Sequence, residues 1–576
     1  MVYSFVVRVV VWSFLEDSVS MAFQPRRAGL IETSAVALAV LSTAAEANAS
    51  PFAIPAATSQ PTPTSEPAPR DDDTQAAAAA DPDASAAEME ALRTRLAAVE
   101  TRLAEVEGEA DTLSQRPVVP DEPAPLRAPG TLDGQAPPNY ADGFHFGSYG
   151  RVVVAGDGRG RPGQNTDIVA HGSRLDEATY AELELRREDA WESVGAYTRI
   201  VATIALAAPM FHYDANFDTK IAVRNLYLEE TGLGLDGLSV WAGSRMYRGD
   251  DIYVLDWWPL DNLNTLGGGA GYRFKTGTFL KIHSGVNQPQ SDFYIQSAAR
   301  SPPLALPGVA SVNILDRQKI TNSLKLGHVI GVGETGGVKV IAYGETHHMR
   351  SGQREVDDNT FEDVPSEFGY VVGGELSLFT GKRSTHLNAW VRYAGGLAAY
   401  GDFALPTQPA PDNSTKGARE LVVALGGNYE VGPFGIMLGS YFRSFRNASP
   451  DLDYDDLDEG IILLRPQFWF KDIFGLALEG SYQVQQRGSL WNPPGEDALR
   501  PLVGTVGKLG VVPFLAIAGR GSYSRPHLRF IYTVTVRNAG ARAMYAADDV
   551  MSLRNTDHFI GIGAEWWFGS TSYFRD

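Results

Sequence analysis

The sequence contains no cysteine. That excludes disulfides, thiolate zinc sites, iron–sulfur clusters and cysteine nucleophiles. Positive charge is also short: 49 Lys+Arg stand against 69 Asp+Glu in 576 residues, a net charge of −20. Phosphate binding needs clustered Lys and Arg, so no nucleic-acid partner is expected. Beyond residue 49 no apolar run is long enough to cross a bilayer as a helix, which excludes a bundle of membrane helices. The strings G-x-S-x-G, H-E-x-x-H and the P-loop are missing as well, so no enzyme and no cofactor is expected. Two classes survive. One is a soluble multidomain protein; the other is a β-barrel, whose alternating strands average out to the observed mean hydropathy of −0.16. The 59 Gly, 26 Phe, 23 Tyr and 10 Trp favour strands and turns.

What is present is modular. Arg26 and Arg27 precede an apolar stretch, 28–45, and the A-x-A site Ala47-Asn48-Ala49. Residues 1–49 thus read as a secretory signal region, with the signal starting at Met21 and residues 1–20 an upstream extension of a mis-assigned start. Residues 50–87, rich in Ala, Pro, Thr, Ser and Asp, read as a disordered linker. Residues 88–113 read as a coiled coil. Met89, Leu92, Leu96, Val99, Leu103, Val106, Ala110 and Leu113 form an unbroken a/d seam. The flanking pairs Glu88–Arg93, Arg95–Glu100 and Arg102–Glu107 join opposite charges in a parallel arrangement. Leu at a with a β-branched residue at d leans toward three or four strands. Residues 114–143, with seven prolines between Pro117 and Pro138, read as a second linker.

Residues 144–576 read as one outer-membrane barrel. Segments of alternating polarity, such as Thr198 to Leu206 and Leu226 to Glu230, are cut by Gly, Asn, Asp or Pro. The last strand is the most readable. Ile560, Ile562, Ala564, Trp566 and Phe568 suit lipid, while Phe559, Gly561, Gly563, Glu565 and Trp567 suit a watery lumen. A soluble sandwich shows the same alternation, but needs no aromatic-ended C-terminal strand. The string Gly331 to Gly336 matches a dinucleotide fingerprint, yet a strand follows it, so it reads as a hairpin turn. His347 and His348 diverge on a strand and hold no metal. The run from Asp451 to Glu459 lacks the central Gly of a calcium loop and reads as a solvated acidic loop.

Three patches carry function. The first runs from Phe144 to Leu185 and includes F-H-F-G-S-Y-G-R and T-Y-A-E-L. The second is W-A-G-S-R-M-Y-R-G-D-D-I-Y-V-L-D-W-W, Trp241 to Trp258. The third is Y-S-R-P-H-L-R-F, Tyr523 to Phe530. Together they resemble the maltoporin family of sugar-specific porins. The resemblance implies an all-β fold: an 18-stranded transmembrane antiparallel barrel, a homotrimer in the lipid of the bacterial outer membrane. Its N-terminal coiled-coil helix lies in the periplasm, as in the sucrose-type porins of that family. It further implies passive diffusion of an oligosaccharide or disaccharide past aromatic rings and a charged track, with a third loop folded into the pore. Carried over residue by residue, the aromatic path takes Tyr149, Tyr180, Trp258, Tyr523 (commonly Trp in the family) and Trp567. The polar track takes Arg151, Arg174, Glu182, Arg224, Arg248, Asp251 and Asp256. One extra residue between Arg248 and Asp256 leaves the register of Asp250 against Asp251 open. Trp390 is a further aromatic candidate, and Phe211 or Tyr213 would be lent by a neighbouring subunit. A general porin without a sugar site, or a barrel enzyme, are the rival readings.

The residues support this on their own terms. Tyr149 shares a strand face with Arg151, and Tyr180 with Glu182, which argues against a lipid-facing girdle. Tyr523 and Arg525 share parity in the same way. Trp257 and Trp258 are consecutive, so at most one meets a sugar.

Overall fold

The computed structural model describes residues 142–570, apart from 192, 209, 302–307, 334–335, 381–384, 402–405, 407–408, 452, 454 and 496. The signal region, the first linker, the coiled coil and nearly all of the Pro-rich linker lie outside the described residues, as does 571–576.

The first seven strands are β1 (Gly143–Gly156), β2 (Tyr180–Trp191), β3 (Ala196–Ala207), β4 (Lys220–Thr231), β5 (Leu238–Arg248), β6 (Asn262–Arg273) and β7 (Thr278–Asn287). A loop hairpin, β8 (Ile295–Arg300) with β9 (Ala310–Asp316), precedes β10 (Lys319–Val332) and β11 (Gly336–Met349). A second, β12 (Gly352–Asp357) with β13 (Thr360–Val364), precedes β14 (Glu367–Thr380), β15 (Thr385–Gly396) and β16 (Arg419–Val431). Then come β17 (Phe434–Arg446), β18 (Leu457–Trp469), β19 (Phe474–Trp491), β20 (Arg500–Ala516), β21 (His527–Arg537) and β22 (Thr556–Phe568).

Leaving out the two hairpins, 18 strands form one sheet. Each pairs antiparallel with its neighbours in chain order, and β22 returns to β1 with Trp567 opposite Tyr149. Closure leaves no unpaired edge strand: each of the 18 strands has a hydrogen-bonded neighbour on both sides, with local breaks in register such as those at Pro466 and Pro513. The expected fold is thus the observed one. Connections alternate in length. Short turns close one end, such as residues 232–237 and 432–433; long loops close the other, such as loop 1 (157–179) and loop 3 (249–261). Gly432 adopts φ +56° in its two-residue turn, a backbone that a Cβ would strain. The exception is turn 8, residues 517–526, which is long but sits at the short-turn end.

The strand period of two sorts the side chains. On β2, Leu183 and Leu185 are exposed toward lipid, whereas Glu182, Glu184, Arg186 and Glu188 are buried toward the lumen. On β22 the two faces divide as the alternation predicts. His347 points inward to Glu345, while His348 packs on Phe368 at 5.0 Å outside. The Gly331–Gly336 string is the β10–β11 hairpin, with Val332 opposite Gly336.

The acidic run is corrected. It is not wholly a solvated loop: Leu457 onward belongs to β18, where Glu459 is buried on the lumen face beside Arg443, Tyr441 and Gln485. Asp458 pairs with Arg446 at 2.8 Å. The alternation that runs through Ile461 and Leu463 extends back through Glu459, and arginines on β17 supply the counter-charge.

Candidate functional site

Loop 3 crosses the lumen. Its two roots are ion-paired to one wall, Asp250 to Lys339 on β11 and Asp261 to Lys325 on β10. Asp250 therefore anchors the loop, and Asp251 beside it is half-buried. Between the roots the chain turns on itself: Ile252 N donates to Trp257 O at 2.7 Å, and Leu255 N to Ile252 O at 2.9 Å. The apolar tip lands on the far side of the ring. A Cβ on Gly439 of β17 would lie 2.5 Å from Val254 Cγ2, and one on Gly426 of β16 would lie 3.1 Å from Ile252 Cγ1. These glycines make the room that the loop fills. Trp257, 1% exposed, stacks on His171 of loop 1 with centroids 4.5 Å apart. Loop 1 is itself tied down by Lys508 of β20, whose Nζ lies 2.7 Å from both Asp167 and Asp176.

The side of loop 3 that faces β1 and β22 gathers the sequence-marked residues. Asp256 has φ +48° and presents its two oxygens to two arginines, Arg174 Nη1 at 2.9 Å and Arg151 Nη1 at 3.0 Å. Arg151 also pairs with Glu177 of loop 1. Burial pushes the Asp256 carboxyl up, but Arg174 and Arg151 outweigh it and hold the group below its ordinary value. Glu177 goes the other way: burial and the charge of Asp256 push it up to about 8. Arg224 pairs with Glu182 at 3.1 Å, and Tyr180 donates its hydroxyl to the same Glu182 oxygen at 2.5 Å. Arg248 stands over Trp258, 4.1 Å from its ring centroid, and both are half-buried.

Aromatic rings run through this network. Tyr180 and Tyr149 lie 6.0 Å apart, and Tyr149 is the Cα partner of Trp567. Tyr523 completes the run from turn 8, which reaches inward far enough to place Tyr523 6.3 Å from His386 of β15. Here strand parity does not apply, since Tyr523 and Arg525 precede β21; both are nonetheless buried inward. Glu565 of β22 collects the cations. It accepts from Arg525 Nε at 2.6 Å, pairs with Arg174 at 3.2 Å, and also receives Arg529.

One expectation does not join the cluster. Trp390 is buried on β15 and donates Nε1 to Glu375 at 3.0 Å, on the wall that holds the loop 3 root. Tyr213, a candidate for lending to a neighbouring subunit, is 65% exposed on the second loop. Two functional candidates escaped the sequence pattern. Tyr253 sits among Tyr523, Trp567, Arg174 and Arg525. Glu177 sits beside Asp256 and lines a polar cavity of about 320 Å3 between loops 1 and 3, together with Asp167, His171 and Ser173. Both residues lie on loops, where no periodicity marks a facing side. Among the described residues no cluster of three metal-ligating side chains occurs.

The sequence model of the family described as LamB porin matches residues 144–568. The chain belongs to the LamB porin family. It is an outer-membrane porin, a channel built on a closed barrel. No curated protein matches the chain. Among solved structures it is similar to OpdQ of Pseudomonas aeruginosa, at 9% identity and TM-score 0.37, covering 74% of this chain and 99% of that one. OmpT of Vibrio cholerae in its trimer form matches at 12% identity and TM-score 0.35, over 74% and 100%. OccK2 (OpdF) of Pseudomonas aeruginosa, solved in complex with glucuronate, matches at 10% identity and TM-score 0.35, over 74% and 98%.

Proposed function

We propose that this LamB-family porin passes oligosaccharides or disaccharides, by passive diffusion along the rings and charges that surround loop 3. The observation that carries the reading is the convergence of Tyr180, Tyr149, Trp567 and Tyr523 with Arg174, Asp256 and Glu565 at one place inside the lumen, where β1, β2 and β22 meet loops 1 and 3 and turn 8. A pyranose has apolar C–H faces and a polar hydroxyl rim. Aromatic faces stack on the first, and charged groups hydrogen-bond the second.

Weak contacts suit this task. At a Kd of about 1 mM, worth about 4 kcal/mol, and an association rate near about a million per molar per second, a sugar leaves about a thousand times per second. At micromolar affinity it would leave about once per second and block the channel. A row of graded sites therefore transports better than one deep pocket. Arg224, Arg151, Glu182, Arg248 and Trp258 extend the same row, with Asp251 near the root of loop 3.

The N-terminal coiled coil, residues 88–113, is proposed to lie in the periplasm and to stabilise a homotrimer or hold sugar-handling partners. Its matched seam charges support that role. The test of the carbohydrate reading is planar-bilayer conductance with maltodextrins, sucrose and glucose added in turn. Concentration-dependent block by one of them is expected. Ohmic current indifferent to every sugar would refute the reading and leave a general porin; zero conductance would point to a plugged or enzymatic barrel.

A further inference from the structure

Tyr253 lies in the middle of the aromatic run and is 5% exposed. Its ring centroid is 5.3 Å from that of Tyr523 and 5.8 Å from that of Trp567, edge-on to both at 70° and 82°. The guanidinium of Arg174 stands 4.6 Å from its centroid. Its hydroxyl donates to Glu565 Oε2 at 2.9 Å and accepts from Arg525.

This is the contact set that a sugar ring would need at the same place. A six-membered ring is flanked by aromatic rings, and a hydroxyl is shared between an arginine and a carboxylate. We infer that Tyr253 is a built-in competitor for sugar: its phenol occupies one ring position of the path, and each passing sugar displaces it. The inference rests on the carbohydrate reading above.

The local structure holds the loop in place around this side chain. Tyr253 lies in a short turn, Tyr253–Leu255, whose neighbours Ile252, Val254 and Leu255 are buried, with Ile252 and Val254 seated against Gly426 and Gly439. The backbone on both sides is thus held by packing, so displacement of the phenol runs through rotation about the Tyr253 side-chain bonds and not through movement of the loop. The arrangement has a functional consequence. Each sugar gains stacking on Trp567 and Tyr523 only by giving up the contacts that Tyr253 makes there. Affinity at the tightest aromatic cluster stays low, and release stays fast.

The test uses the full chain in planar bilayers, as wild type, Tyr253→Ala and Tyr253→Phe, with maltotriose and sucrose as probes. Mobility of unheated samples on gels checks that each barrel is folded. Tyr253→Ala is expected to raise open-channel conductance. It is also expected to lower the half-blocking sugar concentration about three- to tenfold, the factor that one removed aromatic competitor supplies. Tyr253→Phe keeps the ring and loses both hydroxyl bonds, so it is expected to shift the half-block in the same direction by less. Unchanged conductance and unchanged block in Tyr253→Ala would overturn the inference. So would weaker block, which would make Tyr253 a sugar contact. If no sugar blocks the wild type, the carbohydrate reading fails and the competitor role with it; a conductance gain in Tyr253→Ala would then show only that the phenol fills the lumen.

Discussion

The guanidinium of Arg525 stands 4.1 Å from the ring centroid of Trp567, and its Nε donates to Glu565 two residues earlier on the same strand. Turn 8 and β22 thus place a cation, an aromatic ring and a carboxylate in one unit. A cation over an indole face is held by the ring quadrupole, and the carboxylate fixes its position. The ring that is expected to receive a sugar is therefore rigid before any sugar arrives, which lowers the ordering cost of each weak contact.

The first prediction concerns the path. Trp567→Ala and Tyr523→Ala are each expected to raise the half-blocking sugar concentration about three- to tenfold, the equivalent of one lost stacking contact. Open-channel conductance is expected to hold or increase. Current-noise or step-block measurements in bilayers check both. Normal sugar block in both mutants would remove Tyr523 and Trp567 from the path.

Glu565 is the second test. It faces Arg525, Arg529 and Arg174, and it accepts a hydrogen bond from the Tyr253 hydroxyl. Glu565→Gln leaves three guanidiniums sharing a neutral amide. Removing one partner of such a buried network typically costs about 3 kcal/mol or more. The channel is expected to shift toward anions, read as the sign and size of the reversal potential in a salt gradient. An unaltered potential would mean that these cations do not face the ion pathway.

Glu177 sets a pH dependence. Its proton is held up to about pH 8 by burial and by Asp256, while the ordinary value is 4.5. Below 8 the group is neutral, and as pH rises through 8 it adds a negative charge to the cavity between loops 1 and 3. Cation preference is expected to increase between about pH 6 and about pH 9, and Glu177→Gln is expected to abolish the step. The linkage sign is the matching one. The unfolded chain releases this proton near 4.5 and the folded chain only near 8, so Glu177 subtracts stability as pH rises across that window. A flat reversal potential in the wild type would contradict the shifted proton.

The coiled coil makes a fourth prediction. Deleting residues 88–113 is expected to lower the temperature at which a trimer dissociates, or to slow uptake at low sugar concentration. Gel migration after graded heating and a growth-limited uptake assay are the readouts. No change in either would leave the seam without a role.

Much of the barrel was legible in the sequence because a strand has a period of two. That period alone assigned Glu565 and Trp567 to the lumen and Ile560 and Ile562 to lipid, and it placed Arg151 beside Tyr149 and Glu182 beside Tyr180. It also separated His347 from His348. At Glu459 the same period runs on into a cluster of aspartates, and there a lumen residue looks like part of an acidic loop. Loops have no such period. Nothing in the order of residues 249–261 says that Asp250 and Asp261 tie to lysines on one wall, that Val254 meets Gly439 across the lumen, or that Tyr253 falls between Tyr523 and Trp567. Those contacts join positions far apart in the chain, and they exist only once the barrel has closed and fixed the distance between its walls. The sequence by itself determined which faces of the strands are wet; the closed ring decided where the loops land, and with that the chemistry in the middle of the channel.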